Sequence, residues 1–100
     1  MIDASVFAPG KVIYNSFSIS FEKAFDQQLE SLTEDLIQVE YEQGFIVDIG
    51  WYPEYDPKGS LVVQLIKDKN WDKPVEKAIV ANMNEMRDAI KRMKSVIGIL

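Results

Sequence analysis

Three carboxylates, Asp48, Glu54 and Asp56, fall close together beside the aromatic residues Trp51, Tyr52 and Tyr55. Paired carboxylates are what glycoside hydrolysis needs, and clustered ones can hold a calcium ion. Asp56-Pro57-Lys58-Gly59 lacks the alternating oxygen ligands of a calcium loop. The separation that decides hydrolytic chemistry is not set by sequence. The chain has no histidine, so the commonest general base and transition-metal ligand is missing. It also has no cysteine, which removes disulfides and thiolate metal sites. We therefore assign no catalytic residue, no metal ligand and no cofactor. Aromatic anchors beside carboxylates suit contact with another protein. The candidate contact residues are Glu40, Asp48, Tyr52, Glu54, Tyr55 and Asp56, and the partner they fit has a basic surface. Two alternatives stay open: a small enzyme using Asp48, Glu54 or Asp56, and a self-associating structural or adaptor domain.

The elements that must position these residues follow from periodicity. Gly50–Gly59 contains two prolines and lies between two apolar runs, Phe45–Ile49 and Leu61–Ile66. That arrangement reads as a β-hairpin with a long tip. Pro53 and Pro57 fix their own φ and bias Tyr52 and Asp56 toward extended backbone, which stiffens the tip. In the strand before it, Phe45, Val47, Ile49 and Trp51 share one face, which makes Trp51 a core residue. Asp48 and Tyr52 share the other. Asp48 and Gln64 are expected to point away from the main core, beside Gln38 and Glu40.

Upstream, Pro9-Gly10 marks a turn and Lys11–Tyr14 has the composition of a short strand. Phe21, Phe25, Leu29, Leu32 and Leu36 recur at helical spacing after Ser20, a candidate N-cap. We place a helix at 20–33 and a strand at 36–41; one helix running to Tyr41 is the competing reading. Downstream, Val75, Ile79 and Val80 are β-branched, and Asn82-x-x-Glu85 has the form of a capping box. We prefer a strand at 75–81 and a helix at 83–97 that ends at Gly98 over one long helix from Val75. Met83, Met86 and Met93 lie at core spacing on that helix, and Lys91, Arg92 and Lys94 complement its C-terminal dipole.

The expected fold is α+β. A meander of three to four antiparallel strands (36–41, 45–52, 61–67 and 75–81) is covered on one face by an N-terminal and a C-terminal helix. One hundred residues make a single domain spanning 1–100. The net charge of −5 is unevenly spread. Residues 1–60 hold 3 basic and 11 acidic residues, giving −8; residues 61–100 hold 8 basic and 5 acidic, giving +3. Such a balance disfavours nucleic acid and anionic membranes and favours encounter with a basic protein. No signal peptide and no membrane-spanning run is evident, so a cytoplasmic location is the expectation.

Gly50-Trp51-Tyr52-Pro53-Glu54-x-Asp56-Pro57-x-Gly59, followed by Trp71-Asp72-x-Pro74, resembles small bacterial immunity-type proteins of polymorphic-toxin and contact-dependent growth-inhibition systems. The resemblance covers about Asp35–Val80. It implies a cytosolic, non-enzymatic antitoxin that binds and neutralises one cognate toxin domain, a nuclease among the candidates. It brings no catalytic residues with it.

Overall fold

The structure of the chain, a computed structural model, describes residues 4–99. Five strands form one antiparallel sheet: β1 (Lys11–Asn15), β2 (Ile37–Glu40), β3 (Phe45–Tyr52), β4 (Ser60–Lys67) and β5 (Glu76–Val80). Their spatial order is their chain order, so each strand pairs with its predecessor. One α-helix follows, α1 (Met83–Ile97). The class is α+β, with one strand more than the three to four expected. The addition is β1, which pairs with β2 and forms an edge of the sheet. Among the described residues, no helix is long and apolar enough to cross a membrane.

The hairpin of β3 and β4 is paired over its whole length, from Phe45 opposite Lys67 to Tyr52 opposite Ser60. Register divides the side chains between two faces. Ile37, Val39, Val47, Ile49, Val63 and Leu65 enter one buried cluster with Met86, Ala89, Ile90 and Met93 of α1. The helix starts where Asn82 Oδ1 accepts the Glu85 N–H at 2.9 Å and stops at Gly98, whose φ is +98°. Both ends follow the expected cap chemistry, and the pairing of β5 with β4 rules out a helix beginning at Val75. Lys94 does more than complement the helix dipole. Its ammonium donates to the Val6 and Ala8 carbonyls at 2.9 and 3.0 Å and ties the start of the described chain to the end of α1.

The helix expected at 20–33 does not form. Residues 16–36 make an irregular connection with two short 3-10 turns, Phe25–Gln27 and Leu29–Ser31. Its ends are tied together: Ser18 Oγ donates to Ser31 Oγ at 2.9 Å, and the Ser16 N–H donates to the Leu36 carbonyl at 2.7 Å. A helix over 20–33 would hold its ends roughly 20 Å apart. Closure between two adjacent strands therefore wins over helical periodicity. Gln28 is buried. It accepts the Ser20 N–H at 2.8 Å and donates to the Ser20 carbonyl at 2.7 Å, taking the groups a helix would have used. Ser20 accepts the Glu22 N–H in a local turn and caps no helix. The apolar spacing still reports burial, because Phe21 and Phe25 pack against the core and Leu32 is inside it.

Both covers, α1 and the 16–36 connection, pack into the same cluster on one face of the sheet. Neither α1 nor the bulk of that connection covers the opposite face, which the Glu34 carbonyl meets at Gly50. That face carries an in-register row of Tyr14, Gln38, Asp48, Gln64 and Lys77. The two outer strands each bear an irregular feature. The pairing of β1 shifts between Val12 and Tyr14, and β5 places the exposed Lys77 at mid-strand.

Candidate functional site, the acidic end of the sheet

Alternation puts Asp48 on the face away from α1, and register sets it directly between Gln38 and Gln64. Gln38 Nε2 donates to Asp48 Oδ1 at 3.1 Å. Asp48 is only 3% exposed, so its carboxyl is buried and does not offer the surface contact expected from its face. Burial pushes its carboxyl above the ordinary range, the hydrogen bond from Gln38 holds it down, the nearby Asp35 charge pushes it up again, and a hydrogen bond from Tyr52 lowers it. The Tyr52 phenol is pushed up to about 12, first by burial and then by the charges of Asp48, Glu34 and Asp35.

Glu34 and Asp35 reach this place because the chain crosses the end of β3. The Trp51 N–H donates to the Thr33 carbonyl at 2.8 Å, the Leu36 N–H to the Ile49 carbonyl at 3.0 Å, and the Tyr55 N–H to the Leu32 carbonyl at 2.7 Å. Gly50 makes the crossing possible, since a Cβ there would collide with the Glu34 carbonyl. These two carboxylates fall in the short link between the helix expected at 20–33 and the strand expected at 36–41, where local pattern does not show that the chain crosses β3. Gln38 was readable from its alternation opposite Asp48.

The hairpin tip is stiff for reasons beyond its prolines. The Trp51 indole N–H donates to the Asp56 carbonyl at 2.7 Å, and Asp56 Oδ1 accepts the Lys58 N–H at 2.8 Å. Gly59 sits close enough to the indole that a Cβ would stand 2.6 Å from Nε1. Trp51 is the expected core residue, at 2% exposure. Glu54 Oε1 accepts the Glu34 N–H at 3.3 Å, which joins the tip to the crossing segment. Tyr55 projects outward at 56% exposure.

Tyr52, Glu54, Tyr55 and Asp56 thus converge at one end of the sheet with Glu34 and Asp35, and Asp48 lies inward of them. Glu40 does not join them. It pairs with Ile46, six residues before Tyr52 on β3 and so roughly 20 Å away along the strand. Asp56 spends one carboxylate oxygen on its own loop. Among the described residues, no group of three or more carboxylates is arranged to hold a metal ion. The Asp48 carboxylate is engaged by Gln38 and Tyr52, so what the site offers is an electrostatic field and a rigid aromatic-acidic rim.

Compared with protein-family models, with curated proteins and with solved structures, the chain matches none.

Proposed function

We propose that this protein is a non-catalytic inhibitor of the immunity type. It binds a cognate bacterial toxin domain in the cytoplasm and blocks that domain's basic catalytic surface, of the kind a nuclease presents. The observation that carries this reading is the convergence of Glu34, Asp35, Asp48 and Glu54 around Tyr52 at one stiffened end of the sheet. Like charges placed together repel, and a fold keeps them together at a cost that a cationic partner removes. Backbone hydrogen bonds fix the rim before binding, so little conformational entropy is lost on contact. The resemblance of residues 35–80 to immunity-type proteins points the same way.

The test is capture followed by inhibition. The tagged protein is recovered from its native cells, and the proteins that come with it are identified and assayed. A single basic partner whose toxic activity is abolished at one equivalent of this protein supports the reading. Recovery of the protein alone, or of a partner whose activity is unchanged by it, overturns the reading and favours self-association or a different binding role.

A further inference from the structure

At the same end of the sheet, on the face that carries α1, a cavity of about 220 Å³ opens between the 16–36 connection and the start of α1. Its floor is buried Trp51, Leu61 and Val80. Two half-buried rings wall it. The Phe25 ring centroid stands 4.7 Å from that of Trp51, and Phe21 meets Phe25 edge-on at 6.3 Å. A wholly apolar cavity of roughly 150 Å³ in another protein is large enough for benzene. The volume here therefore suits one phenyl, indole or branched aliphatic side chain and falls short of a drug-sized ligand.

Charge chooses between occupants. The wall residues Phe21 and Phe25 are each followed in sequence by an exposed acid, Glu22 and Asp26. Glu85 stands at the mouth, held there as its Oε1 accepts the Ala81 N–H at 3.0 Å. Carboxylates beside an aromatic floor disfavour anionic amphiphiles and favour an apolar group carried between cations. We infer that this cavity receives one aromatic or large aliphatic side chain of the protein partner, flanked in the partner's own sequence by lysine or arginine. The inference rests on the proposed inhibitory function and supplies its anchor. A buried apolar residue ringed by charged contacts is the usual anatomy of an interface hot spot.

The test uses capped tripeptides in place of the native partner. Amide and methyl NMR spectra of the protein are recorded during titration with Lys-Phe-Lys, Lys-Ala-Lys and Glu-Phe-Glu. Lys-Phe-Lys is expected to shift the Trp51 indole N–H and the Leu61 and Val80 methyls saturably, at least tenfold more tightly than either other peptide. The double variant Glu22→Lys/Asp26→Lys, both exposed positions, is expected to lose the preference for Lys-Phe-Lys over Glu-Phe-Glu while keeping a dispersed spectrum. Equal affinity for all three peptides overturns the inference, as does a map of shifts confined to the opposite sheet face. Concentration-dependent shifts of the same resonances without peptide identify a second copy of the chain as the occupant and also overturn it. The peptides carry no toxic activity, so failure here is separate from failure of the capture-and-inhibition test.

Discussion

Between Gln38 and Gln64, with Tyr52 and Asp35 close by, an ionised Asp48 loses most of its hydration and recovers it only in part through hydrogen bonds. Its pKa is raised on folding, so the native state holds this proton more tightly than the unfolded chain does. The stability it contributes is present below its unfolded pKa and is lost as pH rises through its native pKa. Asp48→Asn removes the charge and keeps an acceptor for Gln38. The variant should melt higher at pH 7 by roughly 4–8 °C, about 1 kcal/mol, with the gain vanishing near pH 3. Melting curves at pH 3, 5 and 7 check this, and a lower midpoint at pH 7 would contradict it. The phenols of Tyr41 and Tyr52 obey the same sign at the alkaline end, since both are pushed up to about 12, chiefly by burial. Stability should fall as pH rises from about 10 to 12, with delayed ionisation of two of the four tyrosines in a spectrophotometric titration. Alternation along β3 revealed which face Asp48 occupies. It did not reveal its burial, because the groups around it arrive from a crossing segment distant in sequence.

The 16–36 connection shows where periodicity stops being sufficient. Phe21, Phe25 and Leu32 repeat at helical spacing and do reach the core, yet by a folded-back path. Helical spacing reports that side chains share a side; it does not report whether the ends of the segment must meet. The later elements carried local signals with no such conflict: alternation in β3 and β4, a capping box, and a glycine after the helix. They were legible almost to the residue. The crossing over β3 depends on Gly50, and Gly50→Ala should destabilise the fold by about 3 kcal/mol, because backbone and not a flexible side chain occupies the space. A denaturant melt with midpoint and slope measured together tests it. An unchanged midpoint would mean that residues 33–36 can lift off the strand at no cost.

At the scale of the whole molecule, one end of the meander is richer in carboxylates than in cations. The end formed by the hairpin tip, the crossing segment and the start of α1 gathers Glu22, Glu34, Asp35, Glu54 and Glu85. Lys67, Lys91 and Lys94 lie toward the other end, where β4 and α1 finish, mixed there with Glu40, Glu42 and Asp68. The overall charge asymmetry was readable by counting residues; its arrangement along the sheet axis was not, because that depends on the closed path of residues 16–36. For the proposed inhibitory complex, association should slow about tenfold or more between 10 mM and 500 mM salt, as steered encounters do. Asp35→Lys should lower both the low-salt rate and its salt dependence while leaving the melting midpoint within about 0.5 kcal/mol of the parent. Stopped-flow kinetics across a salt series measures this, and a salt-independent rate in the parent protein would place the contact away from the acidic end.

An open meander leaves β1 and β5 with hydrogen-bonding groups turned toward solvent, and such edges recruit further strands into fibrous aggregates. The register shift beside Ile13 and the ammonium of Lys77 are the obstacles this chain sets against that outcome. Ile79, on the same strand and 68% exposed, supplies the stickiness they must counter. Lys77→Val should leave the fold in place yet turn a concentrated solution turbid and thioflavin-positive within hours of shaking, while the parent stays clear. The proposed one-to-one inhibition requires single molecules in solution, so a lysine on an edge strand, two strands across from Asp48, would govern how much of the protein is available to bind its partner.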